Sequence, residues 1–471
     1  MTVTVVACGD HPRIPIDGTG AVIVDGLCTD PGQIRDLDLP WDKVVAVVHR
    51  NQHHLPDVQK ALRSVDVDPL GAQILSVNGD TDSSALRVAI AGLRARADAF
   101  KLTAPEHAKP VFPKEVTRRG FLKPPIPAYV SAPKVDHGTC AADGGCRACV
   151  DACPQGAYRW QAGRIAYAKD ACIPCGRCVT TCPTGAIENP AVAPEMLEAQ
   201  IRALIGAAET NVGIRFVCSR GSIDGADGWT DVTVPCTSMV PGSWLLGCLL
   251  VGAGAAHAVP CSESGCPLDL DASAIQANDL AHAVLAESGL DASMVVGELV
   301  HQPLVCDSIA DPFSSGRAAE VMLAIAATAE LEIDVRHPAA NTGVVALDPM
   351  ACTLCGQCAK TCPTNSLVEF YDDTTVTISF DAGTCVNCTQ CVSACPEISR
   401  GAISVTGRID SALLAAGRQT LNEGEVAVCE ICGNVIAPAT MMGRIGDILG
   451  EEFEATMAVL GNRCIDCRGR R

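Results

Sequence analysis

Hydrophobic positions along this 471-residue chain come in short runs. Gly, Pro or a charged residue interrupts each longer apolar run well before the ~18 residues that a membrane-spanning helix needs. We therefore expect no transmembrane segment. The length is too great for one hydrophobic core, and at roughly 150 residues per domain it predicts about three units or more.

The first 105 residues alternate between strand and helix patterns. The runs TVTVVAC, GAVIVDG and KVVAVVH are short and apolar, which is typical of buried strands, and SALRVAIAGLRARADAF has helical periodicity. Residues 1–105 are therefore predicted to form a small α/β unit. A Pro-rich linker is expected to follow at 106–135.

Residues 193–338 show the same alternation. PEMLEAQIRALIGAAE predicts an amphipathic helix and GSWLLGCLLVGAG an apolar one. The strand-like runs VGIRFVC, DVTVPC and AAHAVPC end on Cys218, Cys236 and Cys261, and Cys266 completes a CSESGC loop. Because α/β folds place their sites at strand ends, we expect these thiols along one edge of a small parallel sheet.

Cysteine content changes this picture, since the chain holds 28 cysteines in tight groups. The N-terminus lacks the basic and apolar regions of a secretory signal, so we expect a cytoplasmic protein, whose thiols stay reduced. Metal ligation then explains the groups better than a disulfide framework. Four cysteines outside the groups are expected to be structural thiols: Cys8, Cys28, Cys248 and Cys306.

The clearest group lies within 339–405 and consists of two copies of C-x2-C-x2-C-x3-C-P. This is the spacing of bacterial ferredoxins, in which three thiolates of one run hold a [4Fe-4S] cube and the fourth holds the neighbouring cube. The crossed pattern assigns one cube to Cys352, Cys355, Cys358 and Cys395, and the other to Cys385, Cys388, Cys391 and Cys362.

A second ferredoxin unit is predicted at 136–192, with one irregular position. Strict spacing would place Asp143 at the start of its first run, whereas Cys140 lies three residues upstream. Thiolate is the softer ligand for iron, and Gly144 and Gly145 give the loop freedom, so we favour Cys140 and keep Asp143 as the alternative. The crossed assignment is Cys140, Cys146, Cys149 and Cys182 for one cube, and Cys172, Cys175, Cys178 and Cys153 for the other.

The tail, 406–471, carries two C-x2-C pairs, Cys429 with Cys432 and Cys464 with Cys467. A Gly follows the first pair, and a helical pattern, MMGRIGDILGEEFEATMAVL, separates the two. Such pairs suit a tetrahedral site with four sulfur ligands, so we predict a zinc-ribbon-like tail. A rubredoxin-like iron is the alternative, because sulfur geometry alone does not separate the two metals.

Charge and loop motifs exclude several functions. The formal net charge of −19 argues against nucleic-acid or anionic-membrane partners and favours basic docking surfaces on partner proteins. The glycine-containing stretches DGTGAV and VGAGAA are not full G-x-G-x-x-G turns with an acidic residue at the right distance. Flavin or nicotinamide binding is therefore not expected.

Two regions resemble known iron–sulfur families. Residues 193–338, with C-T-S-M after a strand, V-G-A-G-A-A at a helix exit and a C-x4-C loop, resemble the delta subunit of methyl-viologen-reducing hydrogenase. This resemblance implies a [2Fe-2S] cluster bound by Cys218, Cys236, Cys261 and Cys266, although CSRG stands where a second cysteine normally follows the first strand. Residues 1–105, with a cysteine-bearing strand, Leu27-Cys28 and a valine-rich strand, resemble the N-terminal region of the flavin-containing subunit of heterodisulfide reductase, here without its flavin domain.

Together these patterns predict a multidomain α+β and α/β protein with two ferredoxin-like 2[4Fe-4S] units, two small α/β domains and a zinc-ribbon-like tail. We expect a non-catalytic electron-transfer subunit. Electrons would enter one ferredoxin unit, cross the middle [2Fe-2S] centre and leave through the other unit. The resemblance implies a flavin-, hydrogenase- or molybdenum/tungsten-type oxidoreductase partner.

Two other functions remain open from the sequence. The alternative is a self-contained reductase whose substrate binds at an incompletely ligated cluster, near Cys140 or in the middle domain. A redox or metal sensor would need an output domain, and the sequence pattern predicts none.

Overall fold

A computed structural model of the chain describes residues 3–9, 20–38, 43–49, 55–65, 67–77, 82–101, 108–111, 128–219, 228–261, 266, 268–296, 299, 303–304, 306, 309–314, 316–450 and 461–468. It shows the mixed α/β multidomain architecture that the pattern predicts. Within these residues, no helix is both long and apolar enough to cross a membrane.

The N-terminal unit is a parallel four-stranded sheet with helices on it. Its strands, in spatial order, are Val22–Val24, Val3–Cys8, Lys43–His49 and Gln73–Val77. Its α-helices are Leu55–Ser64 and Ser83–Ala99. Asp82 begins the second helix by accepting the N–H groups of Ser84 and Ala85 at 3.0 and 3.2 Å, which satisfies donors that the first turn leaves unpaired.

This unit packs onto the middle domain through the helix Ser83–Ala99, which lies against Pro194–Ala207. The two backbones approach closely at Gly92, where a β-carbon would lie 2.5 Å from Cδ2 of the buried Leu204. Next to this contact, the buried Arg96 donates to Oε1 of Gln200 and to the carbonyls of Thr233 and Ala191. The first unit is therefore fixed on the middle domain by a buried polar contact as well as by helix packing.

The middle domain contains a small parallel sheet, as its pattern predicts. The strands lie in the order Trp229–Val234, Gly213–Cys218 and Ala255–Ala258. Every residue of the apolar helix Gly242–Leu250 is buried. The other helices of the domain are Pro194–Ala207, Asp271–Glu287, Ser293–Val296 and Ala318–Ala329.

Short strands and helices make up the first ferredoxin unit. Antiparallel strands pair Lys134–Val135 with Ile187–Glu188, and Tyr158–Gln161 with Arg164–Tyr167. The helices Ala148–Ala152 and Arg177–Thr181 lie against each other. Within the expected linker, Ala108–Val111 pairs with Ala128–Ser131, while residues 112–127 fall outside the described ranges.

The second ferredoxin unit and the tail share their sheets. One sheet has the order Asp334–Arg336, Ile403–Asp410 and Gly343–Leu347, and the other has Leu367–Tyr371, Thr375–Asp381, Arg418–Val428 and Val435–Pro438. The strand Ile403–Asp410 thus crosses the boundary expected at residue 406, and the tail extends the sheet of the unit. The helices are Gln357–Lys360, Gln390–Ser393, Ser411–Ala415 and Ala439–Leu449.

Short 3-10 helices lie at Pro31–Asp36, Pro69–Gly71, Lys169–Ala171, Thr237–Met239, Ala382–Thr384 and Ile398–Arg400.

Part of the helix predicted for the tail is present as Ala439–Leu449, and residues 451–460 lie outside the described part of the chain.

Candidate metal centres

Eight thiols of the second ferredoxin unit surround two small pockets. The first pocket is lined by the thiols of site 3, which comprises Cys352, Cys355, Cys358 and Cys395. The second is lined by the thiols of site 4, which comprises Cys385, Cys388, Cys391 and Cys362. Leu347, Ile378 and Ile403 contribute apolar walls to the first pocket, and Phe380 and Val405 to the second. Each pocket thus receives three thiols from one cysteine run and the fourth from the other.

Left-handed backbone turns wrap the loops around these pockets. The residues on either side of the second cysteine of each run have positive φ: Leu354 at 54° and Gly356 at 69°, then Asn387 at 53° and Thr389 at 57°. Residues other than Gly rarely adopt this conformation. Alternating right- and left-handed residues turn successive N–H groups inward and create concavities that bind anions such as iron–sulfur clusters.

The loop at site 3 contains one such inward N–H group. The N–H of Leu354 donates to Sγ of Cys352 at 3.4 Å. Burial raises the pKa of the Cys358 thiol to about 12, and the neighbouring thiols of site 3 raise it further. At site 4, burial likewise raises the pKa of Cys391 to about 12, and the other thiols of that site raise this pKa further. Buried thiolates are costly unless cations compensate them, so four thiols with inward N–H groups and apolar walls fit a cube.

The first ferredoxin unit brings its thiols together around the helices Ala148–Ala152 and Arg177–Thr181. Site 1 comprises Cys140, Cys146, Cys149 and Cys182, and site 2 comprises Cys172, Cys175, Cys178 and Cys153. Burial raises the pKa of Cys149 to about 12, and the thiols of Cys182, Cys146 and Cys140 raise it further. As in the second unit, a thiol from one cysteine run thus lies beside the thiols of the other run.

At the irregular position of site 1, the two candidate side chains have different surroundings. Cys140 is half-buried, and after burial itself the neighbouring Cys182 thiol contributes to the raised pKa of Cys140. Asp143 is exposed, and its Oδ1 accepts the N–H of Gly144 at 2.9 Å. Cys140 also packs against the apolar cluster that contains Cys149 and Cys182.

Hydrogen bonds also reach the thiols of site 2. The hydroxyl of Tyr158 donates to Sγ of Cys178 at 3.4 Å, and the N–H of Ala157 donates to Sγ of Cys153 at 3.3 Å. Burial raises the pKa of Cys178 to about 12, and the other thiols of site 2 raise it further. Donors aimed at sulfur stabilise the thiolate form that binds iron.

Lys109 supports site 2 from within the expected linker. Its Nζ donates to the carbonyls of Lys169, Asp170 and Cys172 at 2.8, 3.0 and 2.7 Å. The ammonium thus fixes the loop that carries the first thiol of the site and opposes the rise that burial causes in the pKa of Cys172. The sequence gives no signal for this role, because Lys109 lies outside every cysteine motif.

The four thiols expected at the middle site, Cys218, Cys236, Cys261 and Cys266, form two pairs in the structure. Cys218 ends the strand Gly213–Cys218 and lies next to Cys236, and Cys261 lies next to Cys266. Among the described residues, the two pairs do not form one group within 4.8 Å. A hydrogen bond with the thiol of Cys218 and burial raise the pKa of Cys236. The ligand atoms of Cys261, Cys266 and Asp271 lie within 4.8 Å of one another.

Asp271 is the residue of the middle site that the sequence analysis missed. It begins the helix Asp271–Glu287, and its two carboxylate oxygens accept the N–H groups of Cys261 and Cys266, each at 2.9 Å. An acidic residue five positions after the CSESGC loop and at a helix start was the available signal. The carboxylate ties both thiol-bearing backbones to one helix end.

The tail site comprises Cys429, Cys432, Cys464 and Cys467, whose Sγ atoms all lie within 4.8 Å of one another. The Sγ atoms of Cys432 and Cys464 are 3.6 Å apart. A tetrahedral zinc ion with Zn–S bonds of about 2.3 Å separates its sulfurs by about 3.8 Å, so the geometry fits a single ion. Gly433 has φ of +76° and donates to the carbonyl of Cys429 at 2.8 Å, which closes the first knuckle.

The four cysteines expected to be structural belong to none of the groups of described residues that could hold a metal ion. Cys248 is fully buried in its apolar helix, and Cys306 packs half-buried against the same core. Cys8 is buried, and its Sγ accepts the N–H of Cys28 at 3.3 Å.

Comparison with known proteins identifies the two ferredoxin units. The family model of the 4Fe-4S dicluster domain matches residues 139–186 and 351–398, which together contain every cysteine of sites 1 to 4. No curated protein matches the chain. The expectation of two ferredoxin units is confirmed, and the chain contains two 4Fe-4S dicluster domains of the ferredoxin type.

Proposed function

We propose that this chain is an electron-transfer subunit that binds one [4Fe-4S] cluster at each of sites 1 to 4 and relays electrons between redox partners. The observation that carries the proposal is the crossed gathering of four thiols at each site within two 4Fe-4S dicluster domains. Bound clusters of this kind supply reversible one-electron chemistry.

In this proposal the residues of the chain bind the clusters and set their reduction potentials, and they do not transform a substrate. Thiolates hold the clusters, inward N–H groups such as that of Leu354 stabilise the sulfurs, and apolar walls exclude water. Around site 2, Tyr158 and Lys109 add a hydrogen bond and a positive charge. Such neighbours set reduction potentials, so differences between the four sites give a direction to electron flow.

For the middle site we propose a [2Fe-2S] cluster, in line with the resemblance to the hydrogenase delta subunit. The pairing of thiols supports it, because each iron of such a cluster takes two terminal ligands. Cys218 with Cys236, and Cys261 with Cys266, supply one pair for each iron. The N-terminal unit, similar to the flavin-containing subunit of heterodisulfide reductase, then serves as a scaffold packed on this domain.

For the tail site we propose a structural zinc ion, with rubredoxin-like iron as the alternative. Among the described residues, Ile436 is the one apolar side chain outside the cysteines in this cluster, so a metal would supply most of the folding free energy there. As partner we propose an oxidoreductase subunit of flavin, hydrogenase or molybdenum/tungsten type. We also propose a cytoplasmic location, because thiols stay reduced there and iron binds the thiolate.

Metal and sulfide analysis of anaerobically purified protein tests the proposal. We expect about sixteen irons from the four cubes, about two more from the middle site, matching acid-labile sulfide and about one zinc. Colourless, iron-free protein with its thiols oxidised in pairs would reject the proposal. Iron in place of zinc would assign the tail to the rubredoxin-like alternative.

A cavity of about 470 Å³ favours a self-contained reductase as the second candidate. It is bordered by Cys182 of site 1, by Cys385 and Cys388 of site 4, and by Arg177, and its volume is in the range of small-molecule sites. Steady-state substrate reduction by the purified chain alone, with dithionite as donor, would favour this candidate. We rank the relay first because the described residues supply four thiols at each of the four cube sites.

A further inference from the structure

The two ferredoxin units touch each other directly, although the middle domain separates them in the sequence. A β-carbon on Gly144 would lie 3.4 Å from the carbonyl oxygen of Lys360, and one on Gly145 would lie 3.7 Å from Cγ2 of Thr361. The glycine loop immediately precedes Cys146 of site 1, and Thr361 immediately precedes Cys362 of site 4. Segments that carry ligands of sites 1 and 4 are therefore in contact.

A further observation places site 1 beside site 4. Cys182 of site 1 lines the same cavity as Cys385 and Cys388 of site 4. Thiols of different ferredoxin units thus border one shared space.

The middle site lies at the other end of the first unit, beside site 2. A β-carbon on Gly176 would lie 2.5 Å from Sδ of Met239, so the loop after Cys175 packs on the turn after Cys236. Cys175, Cys236 and Cys266 also belong to one apolar cluster. Ser238 and Met239 of this turn also border the cavity that Cys385 and Cys388 of site 4 line, but no thiol of the middle site lines that cavity or the pockets of sites 3 and 4.

Within each unit the two cube sites are neighbours as well. Cys149 and Cys182 of site 1 lie in one apolar cluster with Cys178 of site 2. The helix Gln357–Lys360, which carries Cys358 of site 3, lies against the helix Gln390–Ser393, which carries Cys391 of site 4. The five sites can therefore be ordered by the contacts between the segments that carry them.

We infer that the sites form one row in the order site 3, site 4, site 1, site 2 and middle site, with electrons crossing directly between the ferredoxin units at the contact of sites 4 and 1. This inference rests on the proposed function. It corrects the expectation that the middle centre lies between the two units, because the middle site is at the end of the row. Each crossing oxidises one site by one electron and reduces its neighbour by one, with no proton or third reactant.

Magnetic coupling between reduced cubes tests the row, because it falls steeply with the distance between them. One variant keeps only sites 1 and 4, through Cys172→Ser, Cys175→Ser, Cys352→Ser and Cys355→Ser. Its matched control keeps only sites 2 and 3, through Cys146→Ser, Cys149→Ser, Cys385→Ser and Cys388→Ser. Both also carry Cys218→Ser and Cys236→Ser, which remove the signal of the middle site.

After reduction with dithionite, we expect a broadened, interacting electron paramagnetic resonance spectrum from the variant with sites 1 and 4. The control should give two independent signals. Independent signals from the first variant at about eight irons per chain would overturn the row while leaving the proposed function intact. Fewer than four cubes in the unaltered chain would instead reject the proposed function.

A second measurement keeps every ligand, in case the multiple variants fail to fold. Thr361→Trp inserts a bulky side chain where Thr361 meets Gly145, whereas Thr328→Trp alters an exposed position on the helix Ala318–Ala329. We expect the fully loaded Thr361→Trp protein to show weaker coupling than both the Thr328→Trp and the unaltered protein, at equal iron content. Identical spectra from the two Trp variants would contradict the contact.

Discussion

Lys109 holds the loop that carries the first thiol of site 2. Its ammonium donates to three carbonyl oxygens, those of Lys169, Asp170 and Cys172. Three donors on one cation match three acceptors, so the loop is fixed without any contact to the sulfur itself. A positive charge at this position stabilises the reduced cluster, which carries one more negative charge than the oxidised one.

We expect Lys109→Met to lower the midpoint potential of site 2 by about 60 mV, the one-electron equivalent of a tenfold change in equilibrium constant. Lys109→Arg, which keeps the charge, should shift it much less. Potentiometric titration followed by electron paramagnetic resonance measures both. Lys101→Met is the control, since that lysine is exposed and pairs with Glu195. An equal shift in the control would contradict a local charge effect.

Asp271 performs a comparable task at the middle site, because its carboxylate accepts one N–H from each of two thiol-bearing residues. Asp271→Asn leaves only one oxygen to accept. Loss of such a supporting contact typically costs about 10- to 100-fold in metal affinity. We therefore expect a chelator to remove the middle-site iron from this variant at correspondingly lower concentration, with sites 1 to 4 unaffected.

The matched control for Asp271→Asn is Asp269→Asn, because Asp269 is exposed and lies two positions upstream. If both variants released iron alike, or if the cubes were lost together with the middle site, a specific supporting role for Asp271 would be wrong.

The spacing of the cysteines predicted which thiols lie together in the ferredoxin units. It did not indicate the residues that support those thiols. Spacing is local information, and C-x2-C-x2-C brings three thiols together within one loop whatever surrounds it. Lys109 binds a carbonyl that lies 60 residues further along the chain, and Asp271 accepts backbone N–H groups. Neither hydrogen bond requires a periodic pattern of residue types, so neither can be identified from the sequence. Tyr158 is similar, since its bond to Cys178 depends on a hairpin that folds over the site.

At the scale of elements, the tail is built onto the second ferredoxin unit. The strand Arg418–Val428 pairs with Thr375–Asp381, and the helix Ala439–Leu449 is joined to the loops of site 3. Thr440 donates to the carbonyl of Thr353 at 3.2 Å, and Arg444 pairs with Glu397 at 3.2 Å. The tail therefore covers one side of site 3.

Removing a ligand of the tail site should unfold the knuckles without emptying the cubes. In Cys464→Ser we expect amide exchange in 429–438 and 461–468 to become at least about tenfold faster, since the metal that we propose there would supply most of the local folding free energy. Hydrogen-exchange mass spectrometry measures this, and iron analysis checks the cubes.

Ile465→Ser is the control for this variant, because Ile465 lies beside the ligand and is 81% exposed. Unchanged exchange in Cys464→Ser, or equally fast exchange in the control, would contradict a metal-dependent tail.

Apolar elements were predictable and polar ones were not. The helix Gly242–Leu250 and the strand Gly213–Cys218 have strongly apolar sequences and were located from pattern alone. The strand Arg418–Val428, RQTLNEGEVAV, has no residue that is fully buried, so its pattern carries no alternation that would identify it. The strand joins the sheet through backbone hydrogen bonds to its neighbours, and the pattern of side chains does not predict such bonds.

For the whole molecule, the order of the sites depends on contacts between units. The spacing of each cysteine run fixes the geometry inside a unit, but the approach of Gly145 to Thr361 depends on how three domains pack. Sequence order suggested that the middle domain lies between the two ferredoxin units. The structure instead folds the chain back, so that the two units meet and the middle domain lies beside them.

The net charge of −19 predicts how small electron donors approach the whole protein. Raising the ionic strength from about 0.01 M to about 1 M shortens the screening length from about 30 Å to about 3 Å. We expect the rate of reduction by the cationic methyl viologen radical to fall about tenfold over this range. The rate with the anionic radical of dithionite should rise. Stopped-flow measurements in which both rates changed in the same direction would contradict electrostatic steering.

The contact between Gly145 and Thr361 also has a consequence for biogenesis. Roughly 215 residues separate the two positions, and at about 5–20 residues per second their synthesis takes roughly 10–40 s. During that interval a nascent first unit has its glycine loop uncovered, and a scaffold protein that donates clusters can reach Cys146 from that side. Once the second unit is made, Lys360 and Thr361 cover this loop. We therefore expect a cluster to enter site 1 most easily while the rest of the chain is still being synthesised.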